Sequence, residues 1–176
     1  PMELEMLLRG GDDDDLAIVS SSLEAMAGRG LFDHLGGGWH RYCVDAAWAV
    51  PHFEKMLYDN SLLLRTHGRA RRLGVGNKVT HDRVIGLTLE WLEREMLDSS
   101  GGVWSTQDAD SENEEGISEE GEFYLWKPEE VFAVLTKAES DWACLRWGIT
   151  ETGNFEGTGR SVLSLNEAGE LPGGNH

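Results

Sequence analysis

Side chains that can exchange protons are concentrated between Ala49 and Asn60, in the stretch AVPHFEKMLYDN. Pro51 suits the first turn of a helix, so the sequence predicts a helix that begins there and runs to about Arg72. His52 and Glu54 would then lie at the positive end of the helix dipole, which favours a neutral imidazole and an ionised carboxylate. We therefore predict that both act as catalytic groups, the alternative being an ordinary solvated helix face.

The early turns of the same helix carry further polar side chains. Lys55 and Asp59 are four residues apart and are predicted to form an ion pair, and Glu54 is predicted to hydrogen-bond Tyr58. Because aromatic rings combined with charged groups suit the recognition of polar ligands, Tyr58 and Asp59 are predicted to bind substrate.

A glycine-rich turn precedes this stretch. Three consecutive glycines, Gly36 to Gly38, rule out a stable helix at this point of the chain. The flanking aromatic and β-branched residues predict a loop and a short hairpin, in which Trp39 to Cys43 pairs with Trp48 to Val50. The predicted helix entry therefore directly follows an aromatic hairpin, which favours a site at their junction.

The hairpin contributes a second group of candidate residues. Strand alternation would place Trp39 and Arg41 on one face and His40 on the other. Aromatic rings together with Arg, His and carboxylate groups are typical of a sugar site, since flat rings stack on a pyranose and charged groups bind its hydroxyls. We predict that Trp39, Arg41 and Trp48 bind substrate and that His40 is catalytic. The alternative is that the aromatic residues fill the core and Arg41 pairs with Asp45.

Carboxylates dominate the stretch DADSENEEGISEEGE, from Asp108 to Glu122. Four of them match ligand positions of a twelve-residue calcium loop: Asp108, Asp110, Glu112 and Glu119. The sixth position of such a loop requires glycine for its sharp turn, and Asn113 stands there instead, so no metal site is predicted. No other cofactor is predicted. We expect a solvated acidic loop in which Asp108 or Asp110 turns inward, and Asp110 is predicted to be a further catalytic group.

Composition restricts the partners of the chain. Its 176 residues carry a formal net charge of −17, with 32 Asp plus Glu against 15 Lys plus Arg. Such a negative field repels phosphate backbones and anionic lipids, which argues against nucleic acid and membranes as partners. Cys43 and Cys144 are far apart in sequence, and no apolar run is long enough to span a membrane, so a cytoplasmic location is expected.

Helical periodicity predicts the elements that position these residues. Besides the helix that starts at Pro51, five further helices are expected: Glu3 to Leu8, about Asp13 to Ala27, Val79 to Leu97, Pro128 to Thr136 and Asp141 to Trp147. The helix from Val79 is predicted to bury four apolar residues: Ile85, Leu89, Leu92 and Met96. Short strands are expected in GVWSTQ, EFYLW and Ser161 to Leu165, and residues 153–176 should form a loop-rich tail. The fold is thus predicted to be a mostly α single domain, with β structure confined to two short hairpins.

Three sequence blocks occur in a fixed order along the chain: GLFDHLGGGWHRYCVDAAWAVPHFEKMLYDN, then DADSENEEG with GEFYLWKPEEV, then GNFEG. They resemble the spermatogenesis-associated thioredoxin-domain family, and the resemblance extends from about Glu3 to Glu156. VPHFEKMLYDN is the block most specific to this family. Its members join a thioredoxin-like domain to a helical (α/α)6 toroid that is similar to those of six-hairpin glycosidases and N-acylglucosamine 2-epimerases.

The resemblance implies a partial toroid. The chain lacks both a thioredoxin-like domain and a CxxC pair, and it opens with Pro1 and Met2, so it is expected to be a fragment of a longer protein. Residues 1–176 would form the N-terminal half of an (α/α) toroid. A half-toroid leaves apolar helix faces uncovered, so self-association is expected.

Two classes of function follow from this resemblance. The first is a carbohydrate-active site, which would act as a sugar epimerase with His as general base or as a glycosidase with two carboxylates. The second is a non-catalytic helical module that docks a thioredoxin-like domain or another protein. The sequence leaves both classes open.

Overall fold

The computed structural model describes residues 1–113, 115–166 and 168. Within these residues the fold is mostly helical, as predicted, and contains six α-helices: α1 (Met2–Gly10), α2 (Asp13–Gly28), α3 (Leu57–Leu73), α4 (Lys78–Trp91), α5 (Pro128–Val134) and α6 (Lys137–Trp147). A π-helical turn at Leu92–Met96 extends α4, and a 3-10 turn spans Glu122–Tyr124. None of the helices described here combines the length and apolar character needed to cross a bilayer.

Eight short strands tie the long connections to one another. They are β1 (Tyr42–Cys43), β2 (Pro51–His52), β3 (Lys55–Met56), β4 (Thr106–Gln107), β5 (Asp110–Glu112), β6 (Ser118–Glu120), β7 (Leu125–Trp126) and β8 (Ser161–Val162). They pair antiparallel as β1 with β2, β3 with β4, β5 with β6 and β7 with β8. The prediction of only two hairpins is therefore wrong, because β3–β4 and β7–β8 join segments that are distant in sequence.

The predicted helix start at Pro51 is also wrong. Pro51 and His52 form strand β2, and α3 begins at Leu57, after an N-cap at Met56 that has no side-chain hydrogen bond. Burial alternates from residue to residue through this stretch, with Pro51, Phe53 and Lys55 buried and the residues between them partly exposed. This two-residue period belongs to an extended chain, so His52 and Glu54 do not lie in a helix dipole.

Two parts of the hydrophobic core hold the chain between Trp39 and Phe53 in place. Helices α1 to α4 bury one apolar cluster that includes Met26, Phe32, Trp39, Leu63 and Val84. A second cluster comprises Phe53, Ala109, Leu125 and Val162. The chain between Trp39 and Phe53 runs from the first cluster to the second, which fixes both of its ends.

Helix α4 turns a different face inward from the one predicted. Its buried residues are His81, Val84, Thr88 and Trp91, whereas Leu89 is exposed; Met96, in the following turn, is buried as predicted. His81 is drawn inward because its Nδ1 lies 2.9 Å from Nδ1 of His67 on α3, and its Nε2 lies 2.8 Å from the Val75 carbonyl. A paired polar group can be buried at little cost, so it overrides the apolar pattern.

The remaining predicted elements agree with the structure except at their bounds. The C-terminal strand is found at Ser161–Val162 and pairs with Leu125–Trp126. The tail predicted for residues 153–176 is described as far as Asn166 and at Ala168. Its other positions, 167 and 169–176, lie outside the described residues.

Candidate functional site

One face of the stretch between Trp39 and Met56 carries Arg41, His52 and Glu54. Together with Glu120 of β6 they form a half-exposed polar group that we call the His52 cluster. Nδ1 of His52 lies 2.5 Å from Oε1 of Glu120, and its Nε2 lies 3.8 Å from Oε2 of Glu54. The Arg41 guanidinium donates to the same Glu54 oxygen at 3.0 Å. The cluster thus holds one imidazole between two carboxylates.

Strand pairing places these side chains. Tyr42 is directly opposite His52 in the β1–β2 pair, and their rings stack with centroids 5.2 Å apart. Glu54 also accepts a hydrogen bond of 3.3 Å from the Thr106 hydroxyl of β4. Glu120 comes from β6, so the acidic hairpin reaches the cluster. Because a carboxylate only accepts hydrogen bonds, Nδ1 of His52 carries a proton that it donates to Glu120, whereas Nε2 is too far from Glu54 for a hydrogen bond.

A cavity of about 530 Å³ shares Arg41 with the His52 cluster and is also lined by Tyr42, whose ring stacks on His52. Trp48 and Asp59 also line this cavity, and its apolar wall consists of Leu4, Met26, Leu31 and Leu63. Burial raises the pKa of Asp59, although Arg41 opposes the shift. Oδ2 of Asp59 is buried and has no hydrogen-bond partner among the described residues. The cavity thus combines an apolar wall with a cation and an unused acceptor, which suits a polar ligand.

The loop that carries Trp48 is held by one aspartate. The Asp45 carboxylate accepts backbone hydrogen bonds from Ala47, Ala49 and Val50 at 2.7–3.0 Å. Trp48 has a φ of 60°, which costs free energy for a residue other than glycine and is maintained here by the loop. Asp45 is thus engaged with the backbone, and Arg41 pairs with Glu54 instead.

Tyr58 is close to the same cavity but has a different partner from the one predicted. Its side chain hydrogen-bonds Arg41 and, ahead of Glu54, raises the pKa of that guanidinium. Tyr58 is 49% exposed and therefore accessible to a ligand. Four of the five predicted substrate-binding residues thus surround one cavity or touch a residue that lines it.

Trp39 is the exception. It is completely buried, packs edge-on against Phe32 with ring centroids 4.6 Å apart, and stacks on His67 at 5.1 Å. Its backbone N–H donates to Oδ1 of Asn60 at 2.7 Å, and its carbonyl accepts from Nδ2 of Asn60 at 3.0 Å. Trp39 therefore has no surface that a ligand could touch, and it fills the core as in the alternative interpretation.

The opposite face of the stretch carries His40 and Lys55. Together with Asp33 and Tyr124, which come from other parts of the chain, they form a buried group that we call the Lys55 cluster. Nζ of Lys55 lies 2.7 Å from Oδ2 of Asp33 and donates to the Gly37 carbonyl at 2.8 Å. It also lies 4.8 Å from the centroid of the Tyr124 ring, in cation–π range. The predicted ion pair of Lys55 with Asp59 is wrong, because Lys55 belongs to a strand and points inward.

Burial controls the charges in the Lys55 cluster. It lowers the pKa of His40 to about 3, and the positive charge of Lys55 adds to this shift. Burial also opposes ionisation of Asp33, but Lys55 and the smaller contributions of neighbouring groups together outweigh it, so the pKa of that carboxyl lies below its ordinary value. His40 is thus neutral, and its Nδ1–H donates to the Phe53 carbonyl at 2.8 Å. The cluster is an ion pair beside an uncharged imidazole.

Two cavities of about 420 and 410 Å³ meet at this cluster and share Asp33, Gly36, Phe123 and Tyr124. His40 lines the first, whereas Lys55 and Asp110 line the second. The four predicted catalytic residues therefore do not converge. His52 and Glu54 form one group, and His40 lies on the other side of the strand. Asp110 borders a separate cavity, and the prediction that Asp108 or Asp110 turns inward is wrong, because both residues are exposed.

Sequence analysis missed Asp33, Tyr124 and the inward direction of Lys55. The available signal was the alternation of Pro51, Phe53 and Lys55, which places a lysine on the buried face of a strand. A buried ammonium requires a buried carboxylate, and Asp33 is its partner from the GLFDHLGGG block. Glu120 was part of the acidic stretch, but nothing in its spacing distinguished it from its neighbours.

Comparison with known proteins identifies homologues. No family model matches the chain. The chain is 36% identical to spermatogenesis-associated protein 20 of Homo sapiens and 34% identical to that of Rattus norvegicus, in each case over 88% of its length. An uncharacterized protein of Caenorhabditis elegans is 33% identical over 92% of the chain. The aligned region makes up only 20–22% of these relatives, so the chain spans about a fifth of their length. The resemblance to spermatogenesis-associated proteins is thus confirmed.

Proposed function

We propose that the chain forms one wall of a carbohydrate-binding site in an (α/α) toroid, and that His52 accepts a proton from the bound sugar. The observation that carries this proposal is the position of the His52 imidazole, 2.5 Å from Glu120 and 3.8 Å from Glu54. It is partly exposed and stacks on Tyr42, which lines a cavity that also offers the Arg41 cation and an unused carboxylate oxygen of Asp59. These are the groups that bind a polyhydroxylated ligand.

The proposed reaction is epimerisation next to a carbonyl group. Nε2 of His52 removes the proton from the carbon beside the carbonyl of an open-chain sugar, which leaves an enediolate, and water returns a proton to the opposite face of that carbon. Glu120 fixes the required tautomer through Nδ1, and Glu54 stabilises the imidazolium that forms, as a carboxylate beside histidine does in other proton-transfer sites. Arg41, which pairs with Glu54 at 3.0 Å, is placed to attract the negative charge that develops on the carbonyl oxygen.

Epimerase chemistry fits the cluster better than glycoside hydrolysis. A glycosidase needs two carboxyl groups that face the scissile bond from opposite sides. Here Glu54 and Glu120 both turn towards the same imidazole, which leaves His52 as the group best placed for proton transfer.

The test uses proton exchange as its readout. The protein is incubated in D₂O with a panel of mono- and disaccharides, and loss of the proton signal next to the carbonyl is followed by NMR. His52→Ala and Glu54→Gln should abolish exchange and leave the fold intact, because both side chains are partly exposed. Glu119→Gln is the matched control, since this neighbouring carboxylate of β6 is exposed and lies outside the cluster. Exchange that is equal in the parent and in His52→Ala would refute the proposal.

A second candidate function is docking of a thioredoxin-like domain or another protein. It is favoured by apolar side chains exposed on and just after α5, where Phe132, Val134 and Leu135 are 44%, 75% and 42% exposed. Exposed apolar residues so close together are typical of interaction surfaces. Light scattering tests the related proposal of self-association. A shift from dimer to monomer in Val134→Glu would support it, and a monomeric parent would contradict it.

A further inference from the structure

A separate pocket of about 370 Å³ lies between α1 and α3, away from both clusters. It is lined by Glu5, Arg9, Arg65, Gly68, Arg69 and Arg72. Three of the arginines follow the spacing i, i+4, i+7 along α3, so they form a stripe on one face of this helix. Four guanidinium groups in one concave site are unusual in a chain whose formal net charge is −17.

The charges in this pocket do not balance. The Glu5 side chain is 7% exposed, and its oxygens lie 3.4 Å from Arg69, 3.8 Å from Arg65 and 4.0 Å from Arg9. The side chain of Arg72 makes no ion pair or hydrogen bond with any residue that the structure describes. One carboxylate against four guanidinium groups leaves an excess of three positive charges. The pocket therefore attracts a ligand with negative charge.

Glu5 adds a second requirement. Its Oε1 is buried and accepts no hydrogen bond from the described part of the chain. A buried acceptor without a donor costs free energy, and a ligand that supplies a hydroxyl group beside its anionic group would remove this cost. The pocket thus offers several donors for an oxyanion and one acceptor for a neighbouring hydroxyl.

Gly68 gives an independent indication. It lies in the interior of α3, where glycine destabilises a helix relative to alanine. A Cβ at this position would meet no atom within 4 Å, so packing does not explain the glycine. Its effect is to leave open space between Arg65 and Arg72, where a ligand can approach the helix backbone.

We propose that this pocket binds a phosphate monoester that carries a hydroxyl group close to the phosphate. The phosphate oxygens accept hydrogen bonds from Arg65, Arg69 and Arg72, whose planar guanidinium groups suit bidentate contact with phosphate. The hydroxyl group donates to Oε1 of Glu5. This site is independent of the proposed sugar site, with which it shares no residue.

Isothermal titration calorimetry tests the proposal with three probes: inorganic phosphate, glycerol 3-phosphate and glycerol. Inorganic phosphate should bind, glycerol 3-phosphate should bind more tightly, and glycerol should give no heat. Absence of binding of both phosphates at millimolar concentration would overturn the site. Equal affinity for the two phosphates would overturn the role of Glu5 as hydroxyl acceptor.

Charge variants locate the site. Arg72→Gln should weaken glycerol 3-phosphate binding about tenfold, because a charge-assisted hydrogen bond is lost. Arg71→Gln is the matched control, because Arg71 is on the same helix but pairs with Asp82 and lies outside the pocket. An equal loss in both variants would show a diffuse charge effect and contradict the proposal.

Glycine variants separate binding from folding. Gly68→Leu should fill the open space and weaken binding at least about tenfold, while the helix remains folded. Gly86→Leu is the control, since Gly86 lies within α4 and its Cβ would likewise meet no atom within 4 Å. Circular dichroism confirms that both variants fold. Unchanged binding in Gly68→Leu would place the ligand elsewhere and refute the proposal.

Discussion

The two faces of the stretch between Trp39 and Met56 carry similar chemical groups in opposite environments. The Lys55 cluster and the His52 cluster each contain a histidine, a carboxylate and a cation. In the first, the Lys55 side chain is 2% exposed and Asp33 is 9% exposed; in the second, Arg41 is 43% exposed and Glu54 is 23% exposed. Residues that alternate along one extended chain are thus divided between core and surface.

The comparison shows that environment, more than residue type, decides what these groups do. In the buried cluster each group has a fixed partner, and burial keeps His40 neutral through its lowered pKa. In the half-exposed cluster the Nε2 atom of the imidazole has no hydrogen bond, and the ring stacks on Tyr42, which lines a cavity. The first therefore stabilises the fold, whereas the second is free to meet a ligand.

The largest difference in stability between the two clusters should appear when the ion pair of each cluster is broken. Lys55→Met leaves the Asp33 carboxylate buried without its cation, which should lower the free energy of unfolding by about 3–5 kcal/mol. Arg41→Met removes a half-exposed partner of Glu54 and should cost about 1 kcal/mol or less. Urea denaturation of both variants gives the comparison. Equal losses would show that the two pairs are not different in kind.

Part of this division could be predicted from the sequence. The block AVPHFEKMLYDN does contain the accessible His52 and Glu54, and Arg41, Trp48, Tyr58 and Asp59 do collect around one cavity. Helix periodicity also located the helices outside this block, because their apolar stripes are local signals.

The rest depended on contacts that are distant in sequence. Pro51 is compatible with a helix start and with the first residue of a strand, and only the inward position of Lys55 distinguishes them. That position requires Asp33, which lies 22 residues away. The prediction of which face of α4 is buried was wrong for the same reason, because His81 turns inward to contact His67.

The next largest effect on stability is expected at Asn60, which holds Trp39 at the start of the stretch. Asn60 accepts from the Trp39 N–H and donates to the carbonyls of Trp39 and Met56. Asn60→Ala leaves these buried groups unpaired and should lower the free energy of unfolding by about 2–3 kcal/mol. Ser61→Ala is the control, because its exposed hydroxyl only returns to the Leu57 carbonyl within the helix. It should change stability by about 0.5 kcal/mol at most.

The buried histidine should make stability depend on pH. Burial lowers the pKa of His40 to about 3, so below about pH 6.5 only the unfolded chain takes up a proton there. The stabilisation is complete above that pH and declines as the pH falls towards 3.

His40→Asn isolates this contribution. Asparagine can keep the hydrogen bond to the Phe53 carbonyl but does not titrate. Between pH 6.5 and 5 the parent should lose about 1.7 kcal/mol more stability than the variant. Denaturation curves at the two pH values measure the difference, and parallel losses would contradict the neutral state of His40.

The smallest effect on stability is expected at Glu120, and it separates the roles of the two clusters most sharply. The Glu120 side chain is 47% exposed, so Glu120→Gln should change the free energy of unfolding by about 1 kcal/mol or less. The same substitution replaces a carboxylate that only accepts hydrogen bonds by an amide that can also donate. The tautomer of His52 is then no longer fixed, and the imidazolium loses one of its stabilising charges. Sugar proton exchange in D₂O should therefore fall about tenfold or more, while Glu119→Gln leaves it unchanged. Exchange that is unchanged in Glu120→Gln would contradict the role of Glu120 in fixing the tautomer of His52 and in stabilising the imidazolium.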